Sequence, residues 1–274
     1  MAVLNEGNLV TTSDLIFIIG RQRSGTTVFR DLLARHGAVN CDEIFHGELT
    51  RPHRFYAYVL ARVANDPSLV HPQAHARLFR DYIAAERAAA DGRKMAMDVK
   101  YFGLNLIPQI EDVDNRVPYV IDFMRQNEAN VVHIIRRNKL RVYVSEELSR
   151  ATGRWSAERP EHVLTEKPKL TIDVTEALRF IDRLVLQDGR VGDLLDSVPM
   201  VERLYYHDMF DDAGLFSGKV QQVAARFMDL DTVDPKPGNL KMNPETLPSL
   251  VANYTELEMA LTGTPHEWML TDDH

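Results

Sequence analysis

A chain of 274 residues with 45% hydrophobic side chains can bury a full core, as one domain or as two small ones. A formal net charge of −8 and a pI near 5.7 argue against a nucleic-acid partner, whose usual footprint is a basic stripe. A single cysteine, Cys41, excludes an intrachain disulfide and fits a reducing compartment. Residues 1–14 lack a basic start followed by an apolar stretch, and the longest apolar runs are too short for a bilayer. The expectation is a cytoplasmic protein without a membrane span.

The first strong element is Leu15-Ile16-Phe17-Ile18-Ile19, a continuous apolar run ended by Gly20. Unbroken rather than alternating apolarity predicts a strand covered on both faces, as in a parallel sheet. A glycine-containing loop follows, then residues 27–36 with Val28, Leu32 and Leu33 at helical spacing. Strand, loop and helix in that order open a nucleotide-type α/β fold. Good helix formers fill 73–90 and Asp91-Gly92 stops them. Residues 94–99, 131–135 and 200–206 read as further strands separated by helical patterns. Helices are predicted over 140–152, over 172–195 with Thr171 or Asp173 as cap, and over 246–261. Prolines mark irregular stretches at 156–169, a candidate lid, and at 231–244. The predicted fold is one α/β domain over 1–274, irregular over 1–13, with four to five parallel strands and helices on both sheet faces.

The first loop reads Gly20-Arg21-Gln22-Arg23-Ser24-Gly25-Thr26-Thr27. Such a turn aims backbone N–H groups at one spot, and the helix start adds partial positive charge. Ser24, Thr26 and Thr27 add hydroxyl donors, Gly25 admits an anion close to the backbone, and Arg21 and Arg23 supply forked cationic donors. A P-loop NTPase requires lysine directly after the second glycine, where Thr26 stands. The strand over 131–135 runs into Arg136 and Arg137 instead of ending in a Mg²⁺-binding aspartate. The loop therefore suits a phosphate-like anion held without a metal; a basic turn that merely caps a helix is the plainer alternative.

The second cluster, Arg136-Arg137-Asn138-Lys139-Leu140-Arg141-Val142-Tyr143-Val144-Ser145, begins where that strand ends. Parallel strands deliver ligands at their carboxyl ends, so both clusters are expected on one edge of the sheet. Basic charge at a helix start opposes the macrodipole, which favours an anion there over simple solvation.

Together these residues resemble a PAPS-dependent sulfotransferase, PAPS being 3′-phosphoadenosine 5′-phosphosulfate. Arg23-Ser24-Gly25-Thr26-Thr27 is similar to the 5′-phosphosulfate loop, Lys-Ser-Gly-Thr-Thr in the cytosolic enzymes, with arginine in the lysine position as in carbohydrate sulfotransferases. Arg137 and Ser145 keep the family's eight-residue interval for the pair that holds the 3′-phosphate. The resemblance covers about 15–261, is motif-grade only in these two segments, and leans toward bacterial carbohydrate enzymes. It implies PAPS as co-substrate (PAP as product), no metal, and a small-molecule or oligosaccharide acceptor hydroxyl, with Arg23 as the leaving-group cation.

The family's cytosolic members place a histidine base two residues after a strand lysine, but Asp98-Val99-Lys100-Tyr101-Phe102 puts Phe102 there, which accepts no proton. The carbohydrate-type enzymes carry a glutamate shortly after the first helix. In Asn40-Cys41-Asp42-Glu43-Ile44-Phe45-His46-Gly47-Glu48 this points to Glu43, with His46 second. Lys100 reads as a substrate or sulfate contact or as a solvated lysine, Lys241 as a late 3′-phosphate contact, and Phe55, Tyr56, Tyr58 and Trp155 as candidates for an acceptor cleft. Tyr205-Tyr206-His207-Asp208 reads as structural. His71 and His75 lack the glutamate of a metal-binding helix pattern. A kinase or NTPase with a degenerate loop, and an inactive nucleotide-binding member of the fold, are the alternatives.

Overall fold

The apolar run at Leu15 forms the strand β1 (Leu15–Gly20), buried along its whole length. In the computed structural model, which describes residues 13–108, 117–155, 167–238 and 245–271, it lies at the centre of a parallel sheet. The other strands are β2 (Val39–Glu43), β3 (Met95–Lys100), β4 (Asn130–Ile135) and β5 (Val201–Tyr205). Their order is β2-β3-β1-β4-β5. Four of these match predicted strands. The fifth, β2, carries the polar residues Asn40, Asp42 and Glu43, and no apolar period marks it. Its pairing with β3 is interrupted between Asn40 and Glu43, and Asp42 takes a left-handed φ of 54° there.

Helices α1 (Thr26–Arg35), α2 (Phe55–Val63), α3 (His75–Ala90), α4 (Tyr119–Gln126) and α5 (Lys139–Thr152) fill the first part of the chain. After them come α6 (Val174–Leu195), α7 (Gly218–Met228), α8 (Leu247–Leu250) and α9 (Tyr254–Leu261). Successive β1 side chains enter different cores, as the two-residue strand period requires. Leu15, Phe17 and Ile19 pack with Phe55, Phe79 and Val120 from α2, α3 and α4. Ile16 and Ile18 pack on the other face with Leu32, Leu33 and Val223 from α1 and α7. A third cluster joins α5, α6, α8 and α9. Burial of a Phe17-sized side chain is worth about 1.5–3 kcal/mol.

Local signals hold at several ends. Asp173 caps α6 by accepting the Glu176 N–H at 2.9 Å, and Asp91 and Gly92 stop α3 with φ of 51° and 77°. The single helix expected over 246–261 is instead two short helices. Val251 leaves the helix and bridges Leu170, with the Leu170 N–H on Leu250 O and the Ala252 N–H on Leu170 O, both 2.8 Å. Asn253 then holds the Ile172 N–H and carbonyl through its side chain at 2.9 Å each. Pairing with a distant segment outcompetes helix propensity here.

One buried polar cluster pins the turn after β4. The Tyr101 hydroxyl donates to Asp188 at 2.8 Å, so His133 Nε2, also 2.8 Å away, is the donor to Tyr101. Lys139 pairs with the same Asp188. His133 Nδ1 has no partner and the ring is fully buried. Burial first, then the nearby Arg203 and Lys139, push its pKa down to about 3. The folded state therefore refuses a proton that the unfolded chain accepts near pH 6.5. Stability from this group is complete above pH 6.5 and is lost as pH falls toward 3. We expect the slope of unfolding free energy against pH between 6.5 and 4.5 to be shallower in His133→Gln, by on the order of 1 kcal/mol per pH unit. Urea titrations at several pH values measure it, and equal slopes would refute the assignment.

Candidate active site

The chain leaves β1 toward the β2–β3 side of the sheet and leaves β4 toward β5. Connections that diverge from neighbouring parallel strands open a crevice above their carboxyl ends. Both basic clusters begin there, since Gly20 of β1 is in register with Ile134 of β4.

The first loop is tightly built. A Cβ on Gly20 would stand 2.6 Å from the Thr26 methyl and 2.7 Å from Ser24 Oγ, so only glycine lets the turn fold back on itself. Ser24 is buried and closes the turn, its Oγ donating to Arg21 O at 2.6 Å. Arg23 holds a left-handed φ of 66°, a conformation that costs about 1–3 kcal/mol outside glycine and collects at functional sites. Gly25, with φ of 95°, begins α1, and its missing side chain leaves room for the Tyr206 ring. No side chain caps α1, and no acidic residue stands in its first turn, which leaves the partial positive charge of the helix start to the crevice. Thr26 and Thr27 form that first turn; Thr26 is buried and Thr27 partly exposed. Arg21 reaches Glu146 at 3.3 Å and lies over the Phe180 ring, while its buried Nε has no partner.

The second cluster divides. The sequence argument from the macrodipole applies to part of it only, because Asn138 caps α5 through the Arg141 N–H at 2.9 Å, Lys139 is neutralised by Asp188 and Arg141 donates to Glu245 O. The two strand-end arginines stay with the crevice. Arg136 is buried over the Tyr206 ring, donates to Arg23 O at 3.2 Å and keeps an unpartnered Nε. Arg137 is exposed with its guanidinium 4.0 Å from the Tyr205 ring centroid. Ser145, one face of α5 later, accepts from Arg23 Nε at 2.9 Å. The two cradles that the sequence presents as separate are thus contiguous. Arg23 also donates to the carbonyl of Trp155, whose ring is exposed rather than packed in a core. Burial first, then Arg136, pushes Arg23 below its ordinary pKa, and burial does the same to Arg136. Paired guanidinium groups in a desolvated crevice attract an anion that relieves both penalties.

Across from them, β2 and β3 carry a buried ionic network. Lys100 is almost fully buried, not solvated, and its ammonium donates to Thr26 Oγ1, pairs with Asp98 Oδ2 at 2.8 Å and lies 3.4 Å from Glu43 Oε1. Arg30 of α1 joins Asp98 at 3.3 Å and Asp42 at 2.8 Å. Arg54 donates to Asp42 and to the Glu43 carbonyl at 2.6 Å each. Burial pushes the Asp42 carboxyl up, but Arg30 and Arg54 outweigh it and hold the group below the usual range. Glu43 keeps a partly exposed side chain beside the loop. His46 is exposed, and its Nδ1 is taken by the Glu48 N–H at 3.0 Å. Phe55 is not a cleft residue: it is fully buried among Phe45, Phe79 and Tyr82, and Tyr56 beside it bonds Leu106 O. Lys241 and most of the candidate lid lie outside the described residues.

Sequence reading missed Arg30, Arg54 and Asp98, which the fold brings together with Asp42 from four separate stretches of the chain. Tyr206, read as structural, turns out to floor the first loop. Among the described residues one group of metal-capable side chains also comes together, Cys41, His53 and Glu86, away from any sequence pattern.

No model of a known protein family matches the chain, and no curated protein matches it. Among solved structures, it is similar to the sulfotransferase domain of the Synechococcus PCC 7002 olefin synthase, at 19% sequence identity and a TM-score of 0.37, over 79% of this chain and 73% of that one.

Proposed function

We propose that this protein is a PAPS-dependent sulfotransferase that moves the sulfuryl group to an acceptor hydroxyl, a carbohydrate or glycolipid being the favoured acceptor. The observation that carries the reading is the Lys100 ammonium, which touches Thr26 of the anion loop and the Glu43 carboxylate at once. It sets a proton acceptor beside the place where the loop would hold a phosphosulfate.

In this reading the open start of α1, Ser24, Gly25, Thr26, Thr27, Arg21 and Arg23 hold the 5′-phosphosulfate, and Arg137 with Ser145 the 3′-phosphate. Donor binding replaces the Arg23–Ser145 bond, freeing the guanidinium for the leaving group. Glu43 accepts the acceptor's O–H proton as its oxygen bonds to sulfur. The bond from sulfur to the phosphate oxygen breaks in line with this attack, leaving PAP. Negative charge that builds on that oxygen is met by Arg23, which keeps its charge throughout.

Two measurements test this. Glu43→Gln is expected to slow transfer from labelled PAPS about 10²–10⁴-fold, with PAP affinity unchanged in calorimetry; full transfer would remove Glu43 from the role. Arg137→Ala is expected to weaken PAP about ten- to a hundred-fold, the worth of a hydrogen bond to a charged group, while leaving ATP binding, which lacks a 3′-phosphate, and circular dichroism unaltered. Unchanged PAP affinity, or absence of PAP binding by the parent protein, would overturn the donor assignment.

A further inference from the structure

Behind the β2 edge, three side chains from three elements converge. Cys41 lies in β2, fully buried. Glu86 projects from α3, and His53 stands in the turn before α2 with a left-handed φ of 59°. His53 Nδ1 is 2.6 Å from Glu86 Oε2. One ligand atom of each residue lies within 4.8 Å of the others. The turn is fixed from behind, because the Tyr82 hydroxyl donates to the His53 carbonyl at 2.8 Å. His53 and Glu86 retain 25% and 18% side-chain exposure, which gives an ion a path from solvent to the buried sulfur.

We propose that Cys41, His53 and Glu86 form a binding site for a divalent zinc-class cation. The donor set is one sulfur, one imidazole nitrogen and one carboxylate oxygen. A soft sulfur and a borderline nitrogen beside a single hard oxygen select zinc-like ions over magnesium or calcium, which take oxygen-only shells. Bonds of about 2.0–2.3 Å to a tetrahedral ion put ligand atoms roughly 3.3–3.8 Å apart. The trio reaches that spacing by a small opening of the His53–Glu86 pair and a small approach of the sulfur. Binding replaces the thiol proton of Cys41, which leaves to solvent, and three protein ligands leave the fourth position to water. The site also bears on the crevice: Cys41 is two residues from Glu43, and His53 precedes Arg54, which grips Asp42 and the Glu43 carbonyl. A bound ion would therefore clamp the strand end that carries the proposed base. The metal assignment itself does not rest on the sulfuryl-transfer reading.

The test uses the full chain stripped with a chelator and titrated with Co²⁺, then Zn²⁺. One Co²⁺ per chain with a thiolate-to-cobalt charge-transfer band is expected, displaced by Zn²⁺. The band should vanish in Cys41→Ser, and affinity should fall at least tenfold in His53→Gln. Zn²⁺ should raise the thermal midpoint of the parent but not of Cys41→Ser. Glu86→Gln, at a more exposed position, serves if Cys41→Ser does not fold by circular dichroism, and it too should bind at least tenfold more weakly. Absence of the charge-transfer band in the parent, or metal affinity unaltered in these variants, would show that His53 and Glu86 are only a hydrogen-bonded pair beside an inert thiol.

Discussion

A buried ammonium at the end of β3 organises the carboxyl edge of the sheet. Lys100 meets Thr26, Asp98 and Glu43, which belong to the start of α1, β3 and β2. Asp98 is itself fully buried and shared with Arg30, while its Oδ1 has no partner. Charges taken out of water at this depth are tolerated only where opposite charges stand against them. That condition fixes relative positions: the loop, the strand end and the glutamate cannot drift apart without stranding a charge. The network extends through Arg30 to Asp42 and through Arg54 back to Glu43, so the edge strand with the least apolar pairing is held by ions instead.

Placement of the two basic clusters follows from chain topology. Neighbouring strands β1 and β4 send their connections to opposite sides, and the arginines at their ends are left facing the gap. Tyrosines at the end of β5 support them from below, Tyr206 under Gly25 and Arg136, Tyr205 under Arg137. Aromatic faces carry a cation's weight without neutralising it, so the charge stays available to a ligand. The strained Arg23 backbone sits in the same place, with its guanidinium turned to Ser145.

What was legible in the sequence was local. The apolar run of β1, the glycine loop and the helix behind it are set by neighbours within a dozen residues, and they stand where the pattern put them. The strand-end arginines were equally readable, because a strand, a turn and a helix start occupy consecutive positions. The β2 side was readable only as a short list of proton acceptors. Arg30, Arg54 and Asp98 look like ordinary surface charges in the sequence, and their pairing depends on a fold that brings residues 30, 42, 54 and 98 together. The same holds for Phe55, whose aromatic neighbours in the sequence suggest a cleft and whose real neighbours are Phe45 and Phe79. The broken helix near Val251 shows the opposite case, a local pattern overruled by pairing with Leu170.

Asn138 links this edge to the far end of the chain. Its Oδ1 caps α5 next to Arg137, and its Nδ2 donates to the carbonyl of Met269 at 2.9 Å. The turn that presents Arg137 is therefore braced by a residue made more than a hundred positions later. During synthesis the sheet centre can assemble early, whereas this corner waits until the ribosome has released Met269. A nascent chain would thus pass through a stage with the two sheet-facing hydrophobic layers formed and the corner at Arg137 still unbraced.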